Sequence, residues 1–398
     1  MKKIAFALAV AVLLIPTVSA WALDLTDYVD PDLYYQDAEL RATFNFKEGN
    51  QDQSSYNGTG EFTYDMEYST LPFKWLVYAD VQADLSRGPN DEDDTAENYI
   101  MDAWTEAKKY HKGGDELFYF GRFDFDYQDL EGSNYENHDR EEVTAGVGYG
   151  RVITATPLME AVRCVDDLTE YGIIKGEVPD EAYLQLASVI AKEQEFKSRY
   201  SLKEYEKYWY EAMEQVLRDA GVLANDTLGA MGVIRIQDIL TDERVLERKH
   251  GWEATAGLGY LINDFSGNDG DPLFRASFEY TRPYGFKWQL IERLTYATIL
   301  EDWEFGDTDH NFNNTVSLGY EISDMIDWIN TWELDIILSS DSGDDDTYRN
   351  GLQSELRFYI TNTIDLITRL RFDHLDAGDN DDDDVVTTLY MGIAYTIF

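Results

Sequence analysis

Carboxylate and guanidinium side chains recur at every second position along several stretches of this chain, which places them on one face wherever the backbone is extended. Asp80, Gln82 and Asp84 form one such series, Arg122, Asp124 and Asp126 a second, and Arg369, Arg371 and Asp373 a third. A face of this kind can pair its own charges, hold water or steer dissolved ions. Runs of acids offer a second chemistry: Asp91, Asp93 and Asp94, then Asp344, Asp345 and Asp346, then Asp381, Asp382, Asp383 and Asp384. Carboxylates packed this densely attract hard divalent ions such as calcium or magnesium, which take oxygen ligands. None of the runs has the ligand spacing of a helix-loop-helix calcium site. A solvated acidic rim is the first expectation, with no specific metal and no other cofactor.

Bond-making chemistry needs a nucleophile, a base and an orienting group within reach of one another. His111, His138, His250, His310 and His374 are scattered, and the sequence contains no Gly-x-Ser-x-Gly, His-Glu-x-x-His or phosphate-loop motif. An enzyme is not expected. Cys164 is the only cysteine, which excludes an intrachain disulfide and a cysteine-built metal site. It falls in an amphipathic helical stretch, where a buried thiol is expected. The formal charge of −46 over 398 residues argues against nucleic acid as a partner.

The charged faces need strands to carry them. Period-two alternation predicts fourteen strands near residues 35–47, 54–69, 73–87, 96–110, 116–129, 140–154, 251–263, 272–283, 285–302, 311–323, 325–339, 348–361, 363–375 and 385–398. Leu352, Ser354, Leu356, Phe358 and Ile360 share one face of the twelfth, against Gln353, Glu355, Arg357 and Tyr359 on the other. Short turns such as Thr70-Leu71-Pro72 and Pro283-Tyr284-Gly285 take turns with longer acidic loops such as Pro89 to Asp94. Trp75, Trp104, Trp252, Trp288, Trp303, Trp328 and Trp332 are expected near strand ends, as aromatic girdles.

Between about 155 and 249 the period of two is lost. Helices are expected at Pro157 to Tyr171, Asp180 to about Tyr200, Ser201 to Ala220 and around Leu228 to Leu246, with Ser201-Leu202-Lys203-Glu204 as a capping box. An apolar stripe through Tyr183, Leu186, Ile190, Leu202, Trp209, Met213 and Leu217 reads as core; a docking face for a partner or a plug folded into the barrel are the alternatives. Lys2 and Lys3, the apolar stretch Ile4 to Ile15 and small residues at Val18-Ser19-Ala20 or Ala20-Trp21-Ala22 read as an export signal over residues 1–22.

Export signal, alternating strands, turn-and-loop alternation and the ending Leu389 to Phe398 together resemble Gram-negative outer-membrane β-barrels of the porin-like kind, and the strand pattern is similar to that of the salt-induced outer-membrane proteins. Many such barrels carry an aromatic two places before the last residue; here that place is Thr396. The resemblance implies an all-β transmembrane antiparallel barrel of about 14 strands with an inserted α-helical periplasmic domain: strands one to six in 23–154, the insert at 155–249, strands seven to fourteen in 250–398, and both termini periplasmic. Outer-membrane lipid, lipopolysaccharide and the outer-membrane assembly machinery are its implied partners, with a periplasmic protein at the insert as a further one.

Parity then assigns an acidic lumen lining of Glu61, Asp65, Asp80, Asp84, Asp102, Asp124 and Asp126, and a basic one of Arg275, Arg293, Arg349, Arg357, Arg369 and Arg371. Facing walls of opposite sign would orient polar solutes. Alternatively the arginines pair with carboxylates on adjacent strands and fill the lumen. The expected function is passive diffusion of ions or small hydrophilic solutes, favouring cations. The alternative is a non-conducting barrel that binds a periplasmic partner through its insert.

Overall fold

The computed structural model describes residues 23–50, 52–111, 116–131, 137–265, 267, 270–300, 309–339, 346–361, 363–377 and 385–396. Strands β1 to β6 span Leu33–Lys47, Ser55–Thr70, Phe73–Arg87, Thr95–Tyr110, Leu117–Asp129 and Asp139–Thr154. Strands β7 to β14 span Lys249–Asn263, Asp271–Tyr284, Trp288–Ile299, His310–Ser323, Ile326–Leu338, Thr347–Tyr359, Ile364–Ala377 and Val386–Thr396. Each pairs antiparallel with its sequence neighbours, and β14 returns to β1 to close the barrel.

Closure satisfies the backbone groups that an open edge would leave bare. The closing seam is the narrowest ladder: β1 meets β14 over four residue pairs, Glu39↔Thr396 to Ala42↔Ile393, whereas β13 and β14 share ten. Outward positions are apolar and exposed, among them Leu258, Leu294, Leu352, Leu389 and Ile393. Trp75, Trp252 and Trp328 face the same way near one rim, and Trp288 joins them there against Tyr320 at 4.2 Å between ring centroids. Trp332 also faces outward but stands at the middle of β11 rather than at a strand end. Trp104 is different again. It points inward at mid-strand, stacked on Tyr78 at 5.7 Å with the Arg122 guanidinium 4.3 Å from its ring, because it shares parity with Asp102 and Glu106. Trp303 and Phe398 lie outside the described residues.

On the inner wall, Phe118 and Phe120 of β5 lie over Gly148 and Gly146 of β6, where an added Cβ would come within 2.2 and 2.7 Å of their rings. Glycine leaves the recess that these rings fill, and Tyr110 completes a buried cluster with them.

The 94 or so residues between β6 and β7 form helices α1 (Thr156–Glu170), α2 (Asp180–Ile190), α3 (Glu193–Tyr200), α4 (Tyr205–Asp219) and α5 (Gly229–Gln237), the last running into a π turn at Asp238–Asp242. Apolar residues at helical spacing, Leu158, Ala161, Val165 and Leu168 on α1 and Tyr205, Trp209, Met213 and Leu217 on α4, meet in one core. Each large side chain buried there contributes roughly 1.5–3 kcal/mol. Leu23, Leu25 and Tyr28 from the segment before β1 pack into the same core, as does Phe286 from the β8–β9 turn. Cys164 is buried among them, and burial pushes its thiol up. No helix among the described residues is long and apolar enough to cross a membrane.

Two helical expectations are corrected. The segment from Asp180 to Tyr200 is two helices, broken at Ala191 and Lys192, where the Val189 carbonyl accepts the Trp209 indole N–H at 2.8 Å and the Lys192 N–H at 3.2 Å. Ser201 does not cap: it sits at φ 70 and its carbonyl accepts from Glu204 and Tyr205, so the helix starts later, at Tyr205. Leu202 consequently lies outside the core, 77% exposed.

Candidate functional site: the ionic lumen and the seated insert

Parity along each ladder puts the ionisable residues on the inner face, and most of them find partners there. Lys74 reaches Glu67 at 2.8 Å, and Lys108 reaches Glu106 at 3.0 Å and also Glu253. Lys249 pairs with Glu247 at 2.8 Å, and Arg293 with Glu279 at 3.5 Å. These residues line a cavity of about 410 Å³ in the half of the lumen nearer the insert. Near the seam, Arg357 spans from β12 to Glu39 on β1 at 2.8 Å and also meets Glu355 at 3.3 Å. Of the two intervening strands, β13 and β14, the latter turns Gly392 and Ala394 inward, side chains too short to block that span.

The six arginines expected in the lumen are all paired. Besides Arg357 and Arg293, Arg369 meets Glu355 at 2.9 Å, Arg371 meets Asp373 at 2.7 Å and Glu333 at 2.9 Å, Arg349 approaches Asp373 at 3.9 Å, and Arg275 meets Glu142 at 2.5 Å and Asp124 at 3.6 Å.

The expected acids divide. Glu61 is held by Arg41 at 2.8 Å, Asp124 by Arg122 at 2.6 Å and Asp126 by Arg140 at 3.4 Å, while Asp84 accepts from the Gln82 amide at 2.8 Å. Among the described residues no cation lies within 4.0 Å of Asp65, Asp80 or Asp102. Asp80 stands directly opposite Asp102 in the β3–β4 ladder, and Asp102 directly opposite Asp126 in the β4–β5 ladder. Directly opposed strand residues have Cβ atoms about 5 Å apart. Three carboxylates therefore form a row around one wall, with a compensating cation at one end only.

The acidic loops look different. Asp93 accepts hydrogen bonds from the Asn90 backbone N–H at 2.7 Å and from its side-chain amide at 2.9 Å, and Asp346 accepts from the Ser339 N–H and the Tyr348 hydroxyl, both at 3.2 Å. Asp91 and Asp94 sit in the same turn region as Asp93. Asp344, Asp345 and Asp381 to Asp384 lie outside the described residues. Among the described residues no three potential metal ligands converge.

The residues that seat the insert were not anticipated. Arg248, just before β7, is fully buried: Nη1 donates to the Leu246 carbonyl at 2.7 Å, Nη2 to the Phe286 carbonyl at 2.9 Å and to Glu321 of β10 at 3.0 Å. Arg163 of α1 shares that carboxylate at 2.8 Å and reaches Glu243 at 3.2 Å. Leu246 lies over Gly319 of β10, where a Cβ would come within 2.8 Å of it. The chain from Glu243 to Arg248 thus lies inside the barrel mouth. One sequence signal pointed here: Glu321 is an acid of inward parity at the strand end on the insert's rim, where it faces the insert.

An outward apolar belt, an ionic interior and a closed antiparallel meander define the class: a transmembrane-type β-barrel with a helical domain seated in one mouth. No protein-family model matches the chain, and no curated protein sequence matches it. Solved structures that resemble it include the translocator domain of the autotransporter NalP from Neisseria meningitidis, at 8% identity and TM-score 0.29, covering 99% of this chain and 94% of that one. Salmonella typhi OmpF, solved in complex with daunomycin, gives 9% and 0.33, covering 93% and 98%. The Acinetobacter baumannii outer membrane protein Omp33 gives 7% and 0.31, covering 92% and 99%.

Proposed function

We propose that the chain is an outer-membrane channel for passive diffusion of ions and small hydrophilic solutes, favouring cations, with its insert on the periplasmic side. The observation that carries the reading is the imbalance of the inner wall. Every expected arginine is neutralised by a carboxylate, while Asp80 and Asp102 have no cation within 4.0 Å among the described residues. Unpaired carboxylates on a water-filled wall with low-dielectric surroundings attract mobile cations and repel anions.

The test is the reversal potential of the folded protein in a planar bilayer under a potassium chloride gradient. Open steps with cation preference are expected, and the double substitution Asp80→Asn with Asp102→Asn should move the reversal potential toward zero. An unchanged reversal potential would remove the acidic row from the mechanism. A second reading, a sealed barrel that binds a partner through its insert, is favoured by the way Arg163 and Arg248 fasten the insert into the mouth. Bilayers that stay silent under every condition would select it.

A further inference from the structure

Between the insert and the barrel mouth lies a second cavity of about 470 Å³, separate from the lumen cavity but sharing Tyr35 and Glu247 with it. Its floor is the ends of β1 and β14, its roof α1, α4 and the returning segment before β7. The volume suits a small organic molecule, since pockets of that use run from about 300 Å³ upward. It is far larger than a metal ion needs, and its carboxylates do not converge on one point.

Four glutamates line this chamber, and three are occupied. Glu193 holds the Tyr205 hydroxyl at 3.0 Å and Lys197 at 3.1 Å, Glu243 holds Arg163 at 3.2 Å, and Glu247 holds Lys249 at 2.8 Å. Glu160 is the fourth. Among the described residues it has no hydrogen-bond or ion-pair partner, although it is recessed in the cavity wall. Across the chamber Thr396 is 4% exposed and its hydroxyl is likewise without a hydrogen-bond partner. Among the described residues the single cation in the lining, Arg244, directs Nη1 toward Asp37 at 3.8 Å. Trp209 and Tyr35 supply aromatic wall.

We infer that the chamber is a binding site for an organic ammonium ion, with Glu160 as its charge partner, the Thr396 hydroxyl as a second acceptor and Trp209 and Tyr35 as aromatic walls. A free carboxylate gives a charge-assisted contact to an N–H donor, and aromatic faces attract cations electrostatically. A neutral or anionic solute of the same shape gains neither. For its route the inference rests on the cation-channel reading, because the shared residues Tyr35 and Glu247 make the chamber the next compartment along the lumen. For its site it rests on the cavity alone.

Titration calorimetry of the full folded chain in detergent at pH 8, where the Glu160 carboxyl is ionised, tests it, with 2-phenylethylammonium as probe and 2-phenylethanol as its neutral counterpart. The ammonium should bind and the alcohol should not. Glu160→Gln should weaken binding about tenfold or more, the loss expected of one charge-assisted contact. Thr396→Val, which leaves the insert untouched, should weaken it by a smaller factor. Equal heats from the ammonium and the alcohol, or full affinity in both variants, would overturn the inference. Binding retained by a chain that is silent in bilayers would uphold the chamber and reject the channel. Cation-selective conductance without ammonium binding would reject the chamber alone.

Discussion

Replacing Glu321 by Gln should loosen the insert from the barrel mouth more than any other single change. Two buried guanidiniums converge on this carboxylate, Arg163 at 2.8 Å and Arg248 at 3.0 Å, and Glu321 is only 3% exposed. Removing the charge leaves both cations facing one another across a neutral amide. Breaking a buried pair from one side costs about 3–5 kcal/mol, and the amide oxygen retains one acceptor, which places the cost near the lower figure. About 3 kcal/mol is roughly a hundredfold in an equilibrium constant, so the undocked population should rise by that factor. Arg248→Met should act more weakly, because Arg163 still pairs with Glu321. Limited proteolysis of the folded protein reads the difference, since cleavage within 155–249 tracks the open population when reclosing is fast. The expected order of cleavage rates is Glu321→Gln, then Arg248→Met, then the parent chain. Equal rates for all three, or a faster Arg248→Met, would refute the shared-carboxylate argument.

Two further outcomes follow from buried groups. Burial holds the Glu160 carboxyl up at about 7, from an ordinary 4.5, with Arg163 opposing that rise and Glu193 adding to it. The folded state therefore holds the extra proton between those values, so this group's contribution falls as pH rises from about 4.5 to about 7. Glu160→Gln should raise the insert's stability by up to about 3 kcal/mol at pH 8 and leave it unchanged at pH 4, as read by urea unfolding followed by circular dichroism. Gly148→Val should block barrel assembly, because even a Cβ would stand 2.2 Å from the Phe118 ring, whereas Gly60→Val should be tolerated, because a Cβ there meets nothing within 4 Å. Heat-modified gel mobility should show the first chain unfolded and the second folded.

The strands were legible because half of each must face an apolar medium and half an aqueous one, and a period of two records that division directly. For β12 the ladder puts Leu352, Leu356 and Phe358 on one side and Gln353, Glu355 and Arg357 on the other, the same division that the sequence shows. Trp104 was misread as part of a girdle because residue type was allowed to outweigh parity. Its neighbours Asp102 and Glu106, two positions either side, already placed it inward. Helix ends in the insert were harder to see. The break after Ile190 depends on a hydrogen bond from Trp209, and so on a contact 20 residues away that no local signal encodes. Arg163, Arg248 and Glu321 were unreadable as a unit for the same reason, since they meet only when the insert is seated against β10.

The placement of charge connects the fold to the proposed function. If the inner wall served only to fill the barrel, complete pairing would be the favoured state, because a buried or confined charge without a partner is costly. The chain reaches that state around its arginines and at the seated insert. It departs from it at Asp65, Asp80, Asp102 and Glu160, three along the lumen wall and one in the chamber beyond. All four are acids, and each lies against space that water can enter. On the proposed channel reading, carboxylates of this kind along the pathway are the groups that would draw cations inward.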